Sequence, residues 1–194
     1  MGDLWLVLRK FVTNARTVAT VAPSSRALAR ATLREIDWTT TRTVVELGAG
    51  TGPITEELIN AAPSDVRLIV NEFLPEFCTV LKQKFPTLDV AEGDAGHLGR
   101  MLADRGIAQV DCVISGLPLT HFPPARRDGV IDEVGKVLKP DGEFRQLTTV
   151  PWLYRGLYRR YFREVTFRLV LWNLPPGGVY VCRGWIPPQE RAGR

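Results

Sequence analysis

The chain has 194 residues, 45% of them hydrophobic and 24% charged, with a formal net charge of +4. That length suits one compact α/β domain with a modest extension, and the balance of apolar and charged residues excludes disordered and fibrous classes. The basic excess is compatible with a polyanionic partner, either nucleic acid or an anionic membrane surface, and does not choose between them.

Cys78, Cys112 and Cys182 are far apart, odd in number and without metal-ligand spacing, so buried reduced thiols in the cytosol are expected, with no disulfide framework and no metal site. No apolar run approaches the ~20 residues of a spanning helix, and the N-terminus lacks a signal-type apolar core.

In chain order, residues 1–40 read as N-terminal amphipathic and lid helices. If Asp3 caps the first, then Leu4, Trp5, Leu8, Phe11, Val12 and Ala15 share one face, with Arg9, Lys10 and Asn14 largely opposite. Such a stripe suits core packing too, but a Trp and a Phe with basic flanks favour a helix lying in a membrane interface. Ser24 is placed to cap a second helix over 25–36.

From residue 41 to 186 short β-rich runs alternate with helical stretches, the pattern of βαβ units feeding a parallel sheet. Strands are predicted over 43–47, 66–72, 88–92, 110–115 and 142–150. Helices are predicted over 53–61, 75–85, 96–105 and 124–138, with Pro53, Pro75 and Pro124 fitting a first helical turn, where the missing N–H costs little. Two later runs, 164–172 and 179–184, flank Asn173-Leu174-Pro175-Pro176-Gly177-Gly178, a hairpin signal that predicts an antiparallel pair. Residues 187–194 read as a frayed polar tail.

One segment carries chemistry. Glu46-Leu47-Gly48-Ala49-Gly50-Thr51-Gly52-Pro53 sets three glycines at alternate positions between a strand and a helix, where the backbone turns sharply and a ligand can approach. The dinucleotide fingerprint spaces its glycines differently, and the Walker phosphate loop ends in a Lys-Ser/Thr pair that is absent here.

The pattern Glu-x-Gly-x-Gly-x-Gly resembles the first motif of class I S-adenosylmethionine-dependent methyltransferases. The resemblance implies a Rossmann-like fold: a mostly parallel seven-stranded sheet, helices on both faces, an antiparallel C-terminal hairpin and an N-terminal helical extension. It implies S-adenosylmethionine as methyl donor, leaving S-adenosylhomocysteine. It puts Gly48, Ala49 and Gly50 against the cofactor, Glu46 near the methionine ammonium, Glu72 with Phe73 at the ribose, Asp94 with Ala95 at the adenine amine, and Ser115 at the end of the fourth strand. Carboxylates suit vicinal hydroxyls and an exocyclic amine, which are donors.

In a doubly wound sheet the crevice lies beyond the carboxyl ends of the strands where strand order reverses, so the substrate loop is Ser115-Gly116-Leu117-Pro118-Leu119-Thr120-His121-Phe122-Pro123. Methyltransferases of nucleic-acid amines carry there an Asn or Asp, then a Pro and an aromatic ring; both the amide and the ring are missing here. The rRNA adenine dimethylases share the layout but add a C-terminal helical domain, for which little length remains.

Three further segments, Val21-Ala22-Pro23-Ser24-Ser25-Arg26-Ala27-Leu28-Ala29, Ser115-Gly116-Leu117-Pro118-Leu119 and Trp172-Asn173-Leu174-Pro175-Pro176, resemble bacterial phospholipid N-methyltransferases over nearly the whole chain. The resemblance implies stepwise methylation of phosphatidylethanolamine towards phosphatidylcholine, by a cytoplasmic enzyme held peripherally on the inner face of the membrane, with no nucleic acid partner. It also lays Ser24 and Ser25 over the cofactor as part of a lid, with Arg26 at the lipid phosphate, beside the plain reading of a helix cap.

An ammonium has no lone pair for the methyl group and must first lose a proton, so an acceptor or desolvation is required. His121 is a candidate base or amine-orienting group, with a loop or partly buried histidine an equal reading, and Tyr154 is a second candidate for which interfacial packing is the favoured reading. The segment 151–163 sets Arg155, Arg159 and Arg163 every four residues beside Trp152, Tyr154 and Tyr158, a mixture that suits lipid phosphates and the headgroup zone, with Leu117 on the substrate side. RNA could use the same mixture by phosphate contact and stacking, so an RNA amine methyltransferase stays open, as does a non-catalytic cofactor-binding regulator.

Overall fold

A computed structural model describes residues 23–148, 154–170 and 177–191, with side chains from residue 26 onward. In chain order the elements are α1 (Pro23–Leu33), β1 (Thr43–Leu47), α2 (Pro53–Ala61), β2 (Arg67–Glu72), α3 (Pro75–Lys84), β3 (Asp89–Glu92), α4 (Leu98–Ala103), β4 (Val110–Ser115), α5 (Pro124–Val137), β5 (Leu138–Thr148), α6 (Arg155–Tyr158), β6 (Phe162–Val170), β7 (Gly177–Trp185) and α7 (Pro188–Arg191). Pro53, Pro75 and Pro124 each open their helix, as expected.

The strands form one sheet in the order β3-β2-β1-β4-β5-β7-β6. Neighbours from β3 to β5 pair in parallel, and β7 runs antiparallel to both β5 and β6. This is the predicted Rossmann-like arrangement with its late hairpin. Strand order reverses between β1 and β4, which opens the crevice beyond Leu47 and Ser115.

Strand β1 is buried on both faces, hence its continuous apolar run. Val44 packs with Ala29, Leu33, Ile54 and Leu58 from α1 and α2, while Val45 and Leu47 join the larger cluster of Leu98, Leu102, Val130 and Val134 from α4 and α5. The α1 helix thus shares a sheet face with α2. It starts at Pro23, so Ser24 stands in its first turn and not ahead of it, and it ends at Leu33 instead of Ile36.

That end is fastened from the sheet. Arg145 on β5 is fully buried, and its Nη1 donates to the carbonyls of Thr32 and Arg34, both at 2.8 Å. Its Nε donates to Glu143 at 2.6 Å, and Arg183 donates to the other Glu143 oxygen at 2.7 Å. Arg168 on β6 adds a bond to the Arg34 carbonyl at 2.9 Å. Cations at a helix C-terminus offset the unpaired carbonyls there.

Several expectations are corrected. The helix expected over 96–105 is a 3-10 turn, Ala95–His97, followed by α4, because the Asp94 side chain accepts the Gly96 N–H and tightens the first turn. β5 begins at Leu138, and the expected turn Lys139-Pro140-Asp141-Gly142 is a bulge within it, where the pairing jumps from Val110↔Leu138 to Cys112↔Glu143. Pro140 has no N–H to give the ladder, and a Cβ on Gly142 would lie 3.0 Å from the Lys139 carbonyl.

The basic segment is not one long helix, since α6 spans only Arg155–Tyr158 and Phe162 already starts β6. Arg155 and Arg159 are exposed, whereas Tyr158, expected to face a membrane, is 1% exposed and packs against Tyr180 and Phe144. Its ring completes an aromatic cluster over the sheet, so it is core. The expected frayed tail contains α7, which Arg191 anchors by pairing with Asp132 and lying 4.6 Å over the Tyr161 ring. Trp5, Leu8, Phe11 and Trp152, with the hairpin connection 171–176, lie outside the described residues. All three cysteines are buried, and among the described residues no helix is long and apolar enough to cross a membrane.

Candidate functional site

Beyond β1 the chain turns through Gly48 (φ 72°), Gly50 (φ 57°) and Gly52 (φ 85°), all in the left-handed region that disfavours a side chain. The three serve different ends. A Cβ on Gly48 would fall 2.5 Å from the Leu117 side chain, and one on Gly52 would fall 2.8 Å from Phe85, so both permit close packing. A Cβ on Gly50 would meet nothing within 4 Å. Its face is open to a ligand.

The acids expected around this turn converge on it. Glu46 is 1% exposed; one carboxylate oxygen accepts the Thr55 hydroxyl at 2.6 Å, and the other is buried with no protein partner. Burial pushes its carboxyl up to about 7; the Thr55 bond opposes the rise and the Glu72 charge adds to it. Glu72 accepts the Phe73 and Leu74 N–H groups on one oxygen, at 2.8 and 2.9 Å, and the Gly50 N–H on the other at 2.8 Å. Asp94 accepts the Gly96 N–H at 2.8 Å and pairs with Arg126. Desolvation works against its charge, but the bonds from Arg126 and Gly96 prevail and hold the carboxyl below its usual value.

Phe73, Asp94, Ala95, Leu117, Phe122 and Arg126 line a cleft beside the turn. The loop after β4 closes its inner wall. Buried Ser115 accepts the Leu117 N–H on its hydroxyl at 3.2 Å, and the Gly116 N–H donates to the Leu47 carbonyl at 2.9 Å. The glycine turn and the loop after β4 are therefore in direct contact.

The two expected proton acceptors lie after β4 and just ahead of α6. His121 ends the 3-10 turn Leu119–His121 and is exposed, with Nδ1 3.3 Å from the Thr120 hydroxyl. Tyr154 is half-buried against the main core, its N–H donating to the Tyr180 hydroxyl at 3.2 Å. Arg26 is exposed on α1; Ser24 and Ser25 are described in backbone only. Three residues escaped the sequence reading: Thr55, Arg126 and Gln146. None left a local signal; Gln146 follows Glu143 and Arg145 in a strand already rich in polar residues.

The residues present fit S-adenosylmethionine. An ammonium would satisfy the unpartnered oxygen of Glu46, and the open face of Gly50 leaves room for the ligand chain. Glu72 and Asp94 lie at the ends of β2 and β3, where ribose and adenine would reach them. The N-terminus of α2, with its positive dipole end beside the turn, suits the carboxylate.

Comparison with known proteins agrees. A family model described as a methyltransferase domain matches residues 44–142. The chain is 46% identical over 187 residues to a protein of Singulisphaera acidiphila named ornithine lipid N-methyltransferase, covering 95% of this chain and 97% of that one. Among solved structures, Burkholderia thailandensis 1,6-didemethyltoxoflavin-N1-methyltransferase with S-adenosylhomocysteine superposes at a TM-score of 0.69 with 17% identity, covering 92% of this chain and 87% of that one. Human N-acetylserotonin methyltransferase with its cofactor superposes at 0.61, also with 17% identity, over 90% of this chain and 55% of that one. With the glycine turn, its acids and the sheet order already in place, the chain belongs to the S-adenosylmethionine-dependent methyltransferases.

Proposed function

We propose that the protein methylates the amine of a membrane lipid. The observation that carries this reading is the 46% identity, end to end, with the Singulisphaera acidiphila protein named for N-methylation of ornithine lipid. Ornithine lipid is accordingly the first candidate acceptor. Phosphatidylethanolamine is the second, supported by the likeness of Val21–Ala29, Ser115–Leu119 and Trp172–Pro176 to phospholipid N-methyltransferases. Both acceptors present a primary amine on a lipid headgroup.

S-adenosylmethionine supplies an electrophilic methyl group on a sulfonium. The chain's own residues do the rest. Gly48 to Gly50, Glu46, Glu72 and Asp94 hold the donor, and the loop Ser115–Leu119, packed on Gly48, brings the acceptor to the same crevice. The amine must arrive unprotonated, and a site walled by Leu117 and Phe122 disfavours its charged form. Exposed Arg155 and Arg159 are among the described residues that suit an anionic surface, each worth ~1 kcal/mol near it.

Labelled cofactor, presented with vesicles of ornithine lipid, vesicles of phosphatidylethanolamine and total RNA, tests the reading. Label is expected in a lipid extract. Label in RNA alone, or nowhere, would overturn it. Replacing both Arg155 and Arg159 with Ala is expected to weaken flotation with anionic vesicles while leaving the melting temperature within about 2 °C, since both side chains are exposed.

A further inference from the structure

We propose that Gln146 holds the acceptor amine through its side-chain oxygen, doing from β5 what Asn or Asp at the position of Ser115 does in nucleic-acid amine methyltransferases. The proposal rests on the reading of the substrate as a lipid amine. Gln146 lies directly opposite Ser115 in the β4–β5 register and is 2% exposed.

The orientation of its amide follows from its neighbours. Nε2 faces the carbonyls of Ser115 at 3.3 Å, Leu117 at 2.9 Å and Leu147 at 2.8 Å. All three are acceptors, so the nitrogen must face them and Oε1 must point away. That oxygen is buried and has no hydrogen-bond partner. A buried acceptor left unbonded is costly and calls for a partner. A ligand N–H is the partner the location supplies. Two of the three carbonyls belong to the loop whose Gly116 N–H bonds Leu47 and whose Leu117 packs on Gly48 and lines the cleft, so the amide is bonded to the back of the cleft's inner wall.

A neutral acceptor suits the chemistry. A carboxylate there would stabilise the ammonium and keep its lone pair protonated, whereas an amide oxygen orients an N–H without that penalty. After the ammonium has lost its proton to water, the amine lone pair forms the bond to the methyl carbon. The carbon–sulfur bond breaks as it does so, and its electron pair stays on sulfur. Positive charge passes to nitrogen, and any remaining N–H then bonds Oε1 more strongly. Primary and secondary amines have such an N–H. A tertiary amine has none, so Gln146 assists the first two transfers and not the third.

The test compares the unmethylated lipid with its dimethylated form as acceptors in vesicles. Gln146→Met is expected to lower kcat on the unmethylated lipid about tenfold and on the dimethylated lipid less than about threefold, with the affinity for S-adenosylhomocysteine, by calorimetry, unchanged. Equal losses on both acceptors would assign Gln146 to holding the loop, and no loss on either would place it outside the site; each overturns the proposal. Gln146→Glu gives a second reading should the Met variant fail to fold. Its rate on the unmethylated lipid is expected to rise at higher pH than in the wild type, by about one unit, because a carboxylate retains the ammonium proton. A coincident pH profile would refute the assignment. If the wild type labels no lipid, the lipid-amine reading fails and takes this one with it; if it does and the step ratio is unmoved, only Gln146 falls.

Discussion

The backbone N–H of Gly50 donates to the Glu72 carboxylate at 2.8 Å, joining the middle of the glycine turn to the end of the neighbouring strand. Glu72 and the turn are thus one unit. Gly50→Val places a β-branched residue at φ 57° and fills the open face. Affinity for S-adenosylhomocysteine in calorimetry is expected to fall by about 100-fold or more, since strain and occlusion act together. Glu72→Gln is expected to cost about tenfold, with charge-assisted bonds exchanged for weaker ones.

Glu46 gives the site a pH dependence. Burial pushes its carboxyl up to about 7, from an ordinary value of 4.5. The sign follows from that rise: its contribution to the stability of the ligand-free fold is full below about 4.5 and is lost as pH climbs through about 7. A ligand ammonium favours the carboxylate, so affinity for S-adenosylhomocysteine is expected to rise as pH increases from 5.5 to about 7.5, with proton release visible in buffers of different ionisation enthalpy. Glu46→Gln is expected to flatten that profile and weaken binding at pH 8.

Gly48 and Leu117 fix the distance between the glycine turn and the loop after β4. Gly48→Ala combines a left-handed φ with a Cβ 2.5 Å from Leu117, and about 2–3 kcal/mol of lost stability is expected. Leu117→Ala leaves a cavity of its own. The double variant should lose less than the sum by about 1 kcal/mol, read from thermal unfolding, because one contact is shared. Strict additivity would mean the contact carries no strain.

Arg145 ties α1 to the sheet through the carbonyls of Thr32 and Arg34 and through Glu143. Arg145→Met leaves Glu143 buried with Arg183 as its remaining cation and strands both carbonyls. A loss of about 3–5 kcal/mol, or roughly 10 °C in melting temperature, is expected. Arg145→Lys should recover little, since one ammonium cannot reproduce the fork of bonds.

The sequence by itself determined the alternation of strands and helices, the first turns at Pro53, Pro75 and Pro124, and the set Glu46, Gly48, Gly50, Glu72 and Asp94. These are legible because they depend on local chemistry: backbone sterics at glycine and proline, apolar period, and acids at the ends of particular strands. Only the tertiary structure decided the rest. Tyr158 and Arg155 look alike as members of a basic aromatic segment, yet the sheet face buries one and leaves the other in solvent. Gln146 is 31 residues from Ser115 in the chain and meets it only through strand pairing. Arg145 lies 113 residues from Thr32 and becomes its cap only when α1 docks. Such roles arise from which buried polar groups are left needing a partner once the elements pack, and no local pattern records that.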